Sequence, residues 1–401
     1  MVDDGTGSPG TSGRWGCLAG AWLLSVAANA LLIVPAGILP PMMETFGTGP
    51  ALTVWVVSAA FAAWALSNFG VGLAIDRTSD FAVATAATLL IAVAGVWGWQ
   101  AGLDGHFWSL VSSRALAGIA IGAVWTTGAN LVGRAFSHGA QGTALGVFTT
   151  SAPAGLGIGQ LLGPLVAVRW GWPANFLGFG IATLCGFVLF FVGYWRTDFA
   201  EVERSVPGLT DLLGVVRQPA VAYGSVLGFL AYSLFLFFNS WMPTYLAQEF
   251  TLSLTMSSLF VALFPAVGIV SRAGGGVISD RFLDGRRRPV IRLSFLSTAP
   301  LVVGIGVTAE VGFLVALLVA AGFTVQLSIG IFYSYVREVV ETTRTGTALS
   351  ILVTACITGA FLTPAFTGWL IDRTGSYSSA FTFAGMLAVA GVVLSWRAPE
   401  S

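Results

Sequence analysis

Charge is what this chain has least of. Asp, Glu, Lys and Arg together make up 9% of its 401 residues, where a soluble domain carries about 25%. So few charges cannot cover a water-facing surface of ordinary size, which argues against a soluble enzyme. Lysine is missing altogether: all 18 basic residues are Arg, set against 18 acidic ones for a formal net charge of zero. That balance leaves no basic patch for nucleic acid. The high hydrophobic content excludes a disordered chain, which needs the opposite composition. Cysteine is nearly absent as well. Cys17, Cys185 and Cys356 lie in apolar stretches with no disulfide or metal-ligand spacing, and read as small buried hydrophobes. The two histidines, His106 and His138, fall in short loops, where neither is placed to ligate a metal. No nucleophile–base pair and no cofactor motif is visible, so no enzyme activity, cofactor or metal is expected.

What is abundant is apolar sequence: 56% hydrophobic residues and a mean hydropathy of +0.85. Twelve stretches contain no Asp, Glu, Lys or Arg: 15–43, 45–75, 81–103, 115–133, 135–168, 170–195, 218–248, 250–271, 293–309, 311–336, 345–371 and 374–396. A bilayer core needs roughly 20 apolar residues as a helix. Only helices and closed barrels satisfy the backbone in lipid, and these runs lack the alternation of barrel strands. The expectation is an all-α membrane protein with 12 transmembrane helices. Residues 1–14 read as a short disordered tail and the first span as retained, since a cleavable signal wants a positive start and a shorter apolar core. Alternating the spans with the N-terminus inside places fourteen Arg on the cytoplasmic side and only Arg169 and Arg373 outside. The positive-inside bias selects that orientation. The expected location is the plasma membrane, multi-pass, with both termini cytoplasmic. Trp97, Trp99, Trp108, Trp170 and Trp172 fall near span ends, as an interfacial aromatic belt would place them.

The chain also repeats itself. Gly72-Leu-Ala-Ile-Asp76-Arg77 after the second span matches Gly276-Val-Ile-Ser-Asp280-Arg281 after the eighth, at an offset of 204. Arg169-Trp-Gly171 matches Arg373-Thr-Gly375 at the same offset of 204. Two such matches at half the chain length divide it into a six-helix bundle over 15–195, a linker over 196–217, a second bundle over 218–397 and a tail over 398–401. Parallel six-helix halves related by an axis along the membrane normal are a known transporter plan.

These motifs resemble those of the major facilitator superfamily, and the resemblance runs from about Leu18 to Trp396. The two Gly-x-x-x-Asp-Arg loops look like the family's most characteristic motif, although Ser79 and Asp80 stand where Gly and Arg or Lys would follow. Arg114-x-x-x-Gly118-x-x-x-Gly122 is similar to the fourth-helix motif, and Gly155-x-Gly157-x-Gly159-x-x-x-Gly163-Pro164 to the fifth-helix motif. The resemblance implies two pseudo-symmetric six-helix bundles and secondary transport of a small solute by alternating access. It implies that Asp76, Arg77, Asp280 and Arg281 latch the cytoplasmic side when the outer side is open. In the fifth span Gly159 and Gly163 permit close helix approach, and Pro164 removes a backbone hydrogen bond. The three are expected to form a hinge at the interface between halves.

Two arginines remain inside spans, where a charge is by default a site hypothesis. Arg114 belongs to the shared fourth-helix motif, so a structural or coupling role stands beside ligand contact. Arg272 does not belong to the shared scaffold, because its counterpart by the 204 offset is Asn68. Ser271-Arg272 followed by three glycines looks like the eighth helix of oxoanion and monocarboxylate carriers in the superfamily, where the Arg faces the central cavity. The alternative is an Arg snorkelling to the cytoplasmic surface. All acidic residues fall in loops or tails on this topology, so a cavity holding Arg without Asp or Glu favours anions. The expected substrate-binding residues are Arg272 and Arg114, with Asn29, Tyr232 and Gln326 as hydrogen-bonding neighbours. The reading is a carrier of a small organic or inorganic anion in a lipid bilayer, with the coupling ion unassigned. A drug or metabolite exporter of the same superfamily is the alternative, supported by the fifth-span motif. The nitrate carriers of the superfamily usually add a cavity Arg in the second helix, and here that helix is uncharged from Ala51 to Ile75.

Overall fold

A computed structural model describes residues 9–136, 138–199, 214–215, 217–340 and 345–399. Most of the expected linker, with Glu201, Glu203, Arg204, Pro207 and Asp211, lies outside the described residues, as do residues 1–8 and 400–401 of the tails. Among the described residues twelve helices are long and apolar enough to cross a membrane. In chain order they are α1 Gly13–Phe46, α2 Pro50–Arg77, α3 Asp80–Leu103, α4 Phe107–Ala135, α5 Ala140–Trp170 and α6 Ala174–Tyr194. The second set is α7 Pro219–Glu249, α8 Leu254–Phe282, α9 Arg288–Val307, α10 Val311–Val339, α11 Gly346–Thr374 and α12 Tyr377–Arg397.

Local chemistry sets the helix ends. The Ser79 hydroxyl accepts from the Ala82 N–H at 3.1 Å to start α3, and Ser253 does the same for Met256 at 3.2 Å to start α8. The Glu310 carboxylate accepts from the N–H groups of Gly312 and Phe313 at 3.0 and 2.6 Å, which also sets a negative charge at the positive end of α10. The repeat shows in the backbone: Gly171 after α5 and Gly375 after α11 both have positive φ, 83° and 63°. Glycine takes that conformation without a Cβ penalty. Four helices are interrupted. α1 narrows to a 3-10 turn over Val34–Ile38 around Pro35, α2 breaks at Val54, α5 at Thr150 and α8 at Val267, just after Pro265.

The packing divides the helices into two sets built alike. In the first half α1 packs on α5 and α6, α4 on α2 and α3, and α3 on α6; in the second α7 packs on α11 and α12, α10 on α8 and α9, and α9 on α12. Without water between helices in lipid, close approach depends on small residues. A Cβ on Gly118 of α4 would lie 1.9 Å from the Ala60 carbonyl oxygen of α2, and one on Gly193 of α6 would lie 2.6 Å from the backbone of α1. This is the pseudo-two-fold arrangement of six plus six helices expected from the repeat.

The halves meet where α5 faces α8 and α2 faces α11, with α7 reaching the turn of α1. On the face opposite the chain ends this seam is tight. Gln160 of α5 donates to the Asn239 carbonyl of α7 at 2.5 Å, and Trp55 of α2 meets Phe361 of α11 with ring centroids 5.9 Å apart. Toward the face carrying the chain ends the same four helices part. Gly70 and Gly72 of α2, Gly142 and Gly146 of α5, Gly274 and Gly276 of α8 and Gly346 of α11 have no atom within 4 Å of where a side chain would begin. One hydrogen bond still crosses there, from Asn68 Nδ2 of α2 to Thr354 Oγ1 of α11 at 3.3 Å.

Candidate functional site

A cavity lies between the halves, on the parted side of the closed seam. Eight helices contribute to its wall: α1, α2, α4 and α5 from one half, and α7, α8, α10 and α11 from the other. Three of the residues chosen from sequence are brought together in it, namely Asn29, Tyr232 and Arg272. Tyr333 of α10 joins them.

Arg272 is held on two sides. Its Nε donates to Gln326 Oε1 at 3.3 Å, and its guanidinium carbon lies 5.5 Å from the centroid of the Phe235 ring, within cation–π range. Among the described residues no carboxylate pairs with Arg272, and its two terminal nitrogens have no protein acceptor. The result is a half-buried cation in a cavity wall with its planar donor edge unused. That edge matches a carboxylate, sulfonate or other oxoanion in two parallel hydrogen bonds. Among the described residues no Asp or Glu lines the cavity.

Gln326 and Arg114 are placed differently from the expectation of direct substrate contact. Neither is in the cavity wall. Gln326 is fully buried behind Arg272, with its amide nitrogen donating to the carbonyls of Phe264 at 2.9 Å and Gly322 at 3.1 Å. Arg114 is also buried. Its Nη2 donates to the Leu32 carbonyl at 2.8 Å and its Nε to the Val56 carbonyl at 3.1 Å, with the Phe176 ring 5.7 Å away. Leu32 stands just before the 3-10 turn of α1, and Val56 just after the break in α2. The last turn of a helix leaves backbone carbonyls without their usual partners; Arg114 supplies a donor to one of these, Leu32 of α1, and a second donor to the Val56 carbonyl in the first turn after the break in α2. Its charge is used on the backbone of its own half.

The latch residues are exposed. Asp76, Arg77 and Arg281 form no ion pair among the described residues, and Asp280 pairs with Arg287 at 2.5 Å. The buried acid on this face is Asp80, which accepts from Arg134 at 2.8 Å and Asn130 at 3.2 Å. Across the pseudo-dyad Arg287 pairs with Glu338 at 2.8 Å. Arg134 and Glu338 are 204 residues apart, so the end of α4 and the end of α10 carry matching ion pairs with the signs exchanged. The hinge residues Gly159 and Gly163 meet α1 of their own half, not the other half. A Cβ on Gly159 would lie 2.6 Å from the Ala30 carbonyl oxygen, and one on Gly163 lies 3.5 Å from Val34. Within that motif Gly157 is the one facing α8, 3.6 Å from the Ala262 carbonyl oxygen. The interruption of α5 is at Thr150, upstream of Pro164.

The aromatic wall of the cavity was not anticipated from sequence. Phe61 and Trp64 of α2, Trp125 of α4 and Phe235 of α7 all line it. Trp64 and Trp125 lie mid-span, whereas belt tryptophans such as Trp108 and Trp170 sit exposed at helix ends. That difference in depth was the available signal. Trp172, assigned to the belt, is instead buried, donating to Thr45 at 3.0 Å.

Twelve helices in two like halves around a central cavity define a membrane transporter of the major facilitator type. The family profile "Major Facilitator Superfamily" matches residues 21–284 and 275–401, and the chain belongs to that family. It is a multi-pass membrane protein and a secondary transporter of a small solute, working by alternating access. The chain is 27% identical over 377 residues to the hexuronate transporter of Bacillus subtilis, covering 88% of this chain and 87% of the relative. It is 25% identical over 344 residues to a probable sulfoacetate transporter of Cupriavidus necator, covering 77% of each. Among solved structures, a bacterial homologue of the human lysosomal transporter Spinster, inward-facing and unoccupied, superposes with a TM-score of 0.73 at 16% identity, over 98% of this chain and 96% of that one. That likeness concerns the fold.

Proposed function

We propose that the transported solute is an anion and that Arg272 is its principal contact. The observation carrying this is the unused donor edge of Arg272 in a cavity wall without a carboxylate. A cation there would meet uncompensated repulsion in a low-dielectric site. An anion instead supplies the acceptors that the guanidinium lacks. The relatives whose names carry a substrate, a hexuronate and sulfoacetate, transport anions, which supports the same reading.

In this reading the parted face is cytoplasmic, which the positive-inside bias of the Arg distribution supports, and both termini are cytoplasmic. Rocking of the halves about the cavity exchanges the open face. Asp76, Arg77, Asp280 and Arg281, unlatched here, engage when that face closes. Gly159, Gly163 and Pro164 shape how α5 bears on α1 during the motion. Counterflow in proteoliposomes with a panel of labelled anions and organic cations tests the assignment. Anion exchange that the Arg272→Ala chain lacks is the expected result, and exchange of cations alone would overturn it.

A further inference from the structure

The polarity of the cavity is divided between the halves. The second half supplies the Arg272 guanidinium and the hydroxyls of Tyr232 and Tyr333. The first half supplies Leu32, Phe61, Trp64, Trp125 and Leu156. Its polar groups are few. The Asn29 amide nitrogen is already committed to the Ser25 carbonyl at 2.8 Å and the Ser25 hydroxyl at 3.3 Å. The Trp64 indole nitrogen is buried without a partner, against Gly122 of α4, which leaves one acceptor, the Asn29 amide oxygen, and one donor, the indole N–H of Trp125. One cationic group therefore faces a wall of rings and aliphatic side chains.

We infer that the substrate is an amphipathic organic monoanion: a single carboxylate or sulfonate bound to Arg272, carrying an apolar or aromatic body that packs against Phe61, Trp64 and Trp125. This rests on the anion reading above and narrows it. A polyhydroxylated sugar acid has several hydroxyls that must keep hydrogen-bond partners on leaving water, and each one left unpaired is costly. The first-half wall offers too few. A bare inorganic oxoanion would satisfy Arg272 but leave the rings empty. An apolar body gains from both the area removed from water and the offset or edge-on contacts that aromatic rings favour. The wall also explains why sequence kinship to carriers of hydrophilic anions does not carry their substrates across: the charge contact is one residue, whereas the body contacts are set by four other helices.

The test uses permanently charged sulfonates, which do not leak through the bilayer as neutral acids do. Counterflow is measured with the full chain in proteoliposomes for benzenesulfonate, hexanesulfonate, methanesulfonate, glucuronate, nitrate and tetraphenylphosphonium. The expected result is exchange of benzenesulfonate and hexanesulfonate at concentrations at least about tenfold below those needed for methanesulfonate, since even one methylene in an apolar pocket is worth about tenfold or more. Trp125→Ala should erase most of that preference and Trp125→Phe should keep it. Methanesulfonate, glucuronate or nitrate exchanging as well as the larger sulfonates overturns the amphipathic assignment and leaves the anion reading intact. Exchange of tetraphenylphosphonium faster than in protein-free liposomes, with no anion exchanged, overturns both.

Discussion

Gln326 Oε1 accepts the Nε proton of Arg272 at 3.3 Å, while the other end of the same amide is tied to the carbonyls of Phe264 and Gly322. The amide thereby fixes which edge of the guanidinium is used up and which is left for a ligand. It also requires Gly268, since a Cβ there would fall 1.8 Å from Gln326 Oε1. Gly268 restarts α8 after its break at Val267, so the interruption of α8 and the orientation of Arg272 are one structural feature.

Gln326→Ala should weaken anion binding by about tenfold, or roughly 1.4 kcal/mol, while leaving Arg272 and its charge in place. Gln326→Glu should be worse, about 100-fold, because a carboxylate at that point pairs with Arg272 and neutralises it. Titration calorimetry on the purified chain distinguishes the two. Equal affinities in the two variants would show that Gln326 acts on packing alone.

Arg272→Ala should abolish measurable anion exchange with normal membrane insertion. Arg272→Lys should restore little of it, about 10% or less, since the ammonium is a point donor and cannot form the bidentate contact. Initial exchange rates in proteoliposomes read both. Full exchange by either variant would sink the assignment.

Arg114 should behave as a structural residue. Arg114→Leu strands the Leu32 carbonyl at the interruption of α1 and removes a second donor from the Val56 carbonyl of α2, and should cost about 1–3 kcal/mol of stability. Thermal unfolding in detergent should show the loss, and the folded fraction should bind anions with nearly unchanged affinity. A large affinity loss in a stable Arg114 variant would place it in the site after all.

The two ion pairs at the open face should differ in strength. Asp80 is 2% exposed beside Arg134, so Asp80→Asn removes a buried charge-assisted hydrogen bond and should destabilise by about 2 kcal/mol. Arg287 faces Asp280 and Glu338, which are 60% and 41% exposed. Those contacts, the Glu338 hydrogen bond first, hold the Arg287 guanidinium above its ordinary pKa. An exposed pair of this kind is worth about 1 kcal/mol or less, so Glu338→Gln should be nearly silent. Thermal stability of the two variants, side by side, checks the order.

Asn68 and Thr354 bridge α2 and α11 at the parted end of the seam. Asn68→Cys with Thr354→Cys, in a chain whose three native cysteines are serines, should form a disulfide under mild oxidation. The staple prevents the halves from separating further, and transport should fall until a reductant restores it. Undiminished transport by the cross-linked chain would show that this bridge does not move during the cycle.

Much of the architecture was written in the order of residues. Spans are legible because lipid tolerates only long apolar helices, and the repeat because both halves need the same turns, as at Gly171 and Gly375. Arg272 was legible as a charge where charge is costly. Arg114 carried the same signal and a different use, because a buried guanidinium serves a ligand and an orphaned carbonyl equally well. Asp76 matched the motif, yet Asp80 is the acid that is buried. Which acid at a helix end turns inward depends on Arg134, 54 residues away.

Sequence alone determined that this protein lies in a membrane, crosses it twelve times and is built as two related halves, because hydropathy and repetition are properties of the chain read in one dimension. Tertiary structure decided which polar groups share the cavity and which are used on the backbone. It also decided that mid-span rings from α2, α4 and α7 converge on one wall. Those outcomes depend on helix rotation and on where α1, α2, α5 and α8 break, which no local pattern specifies.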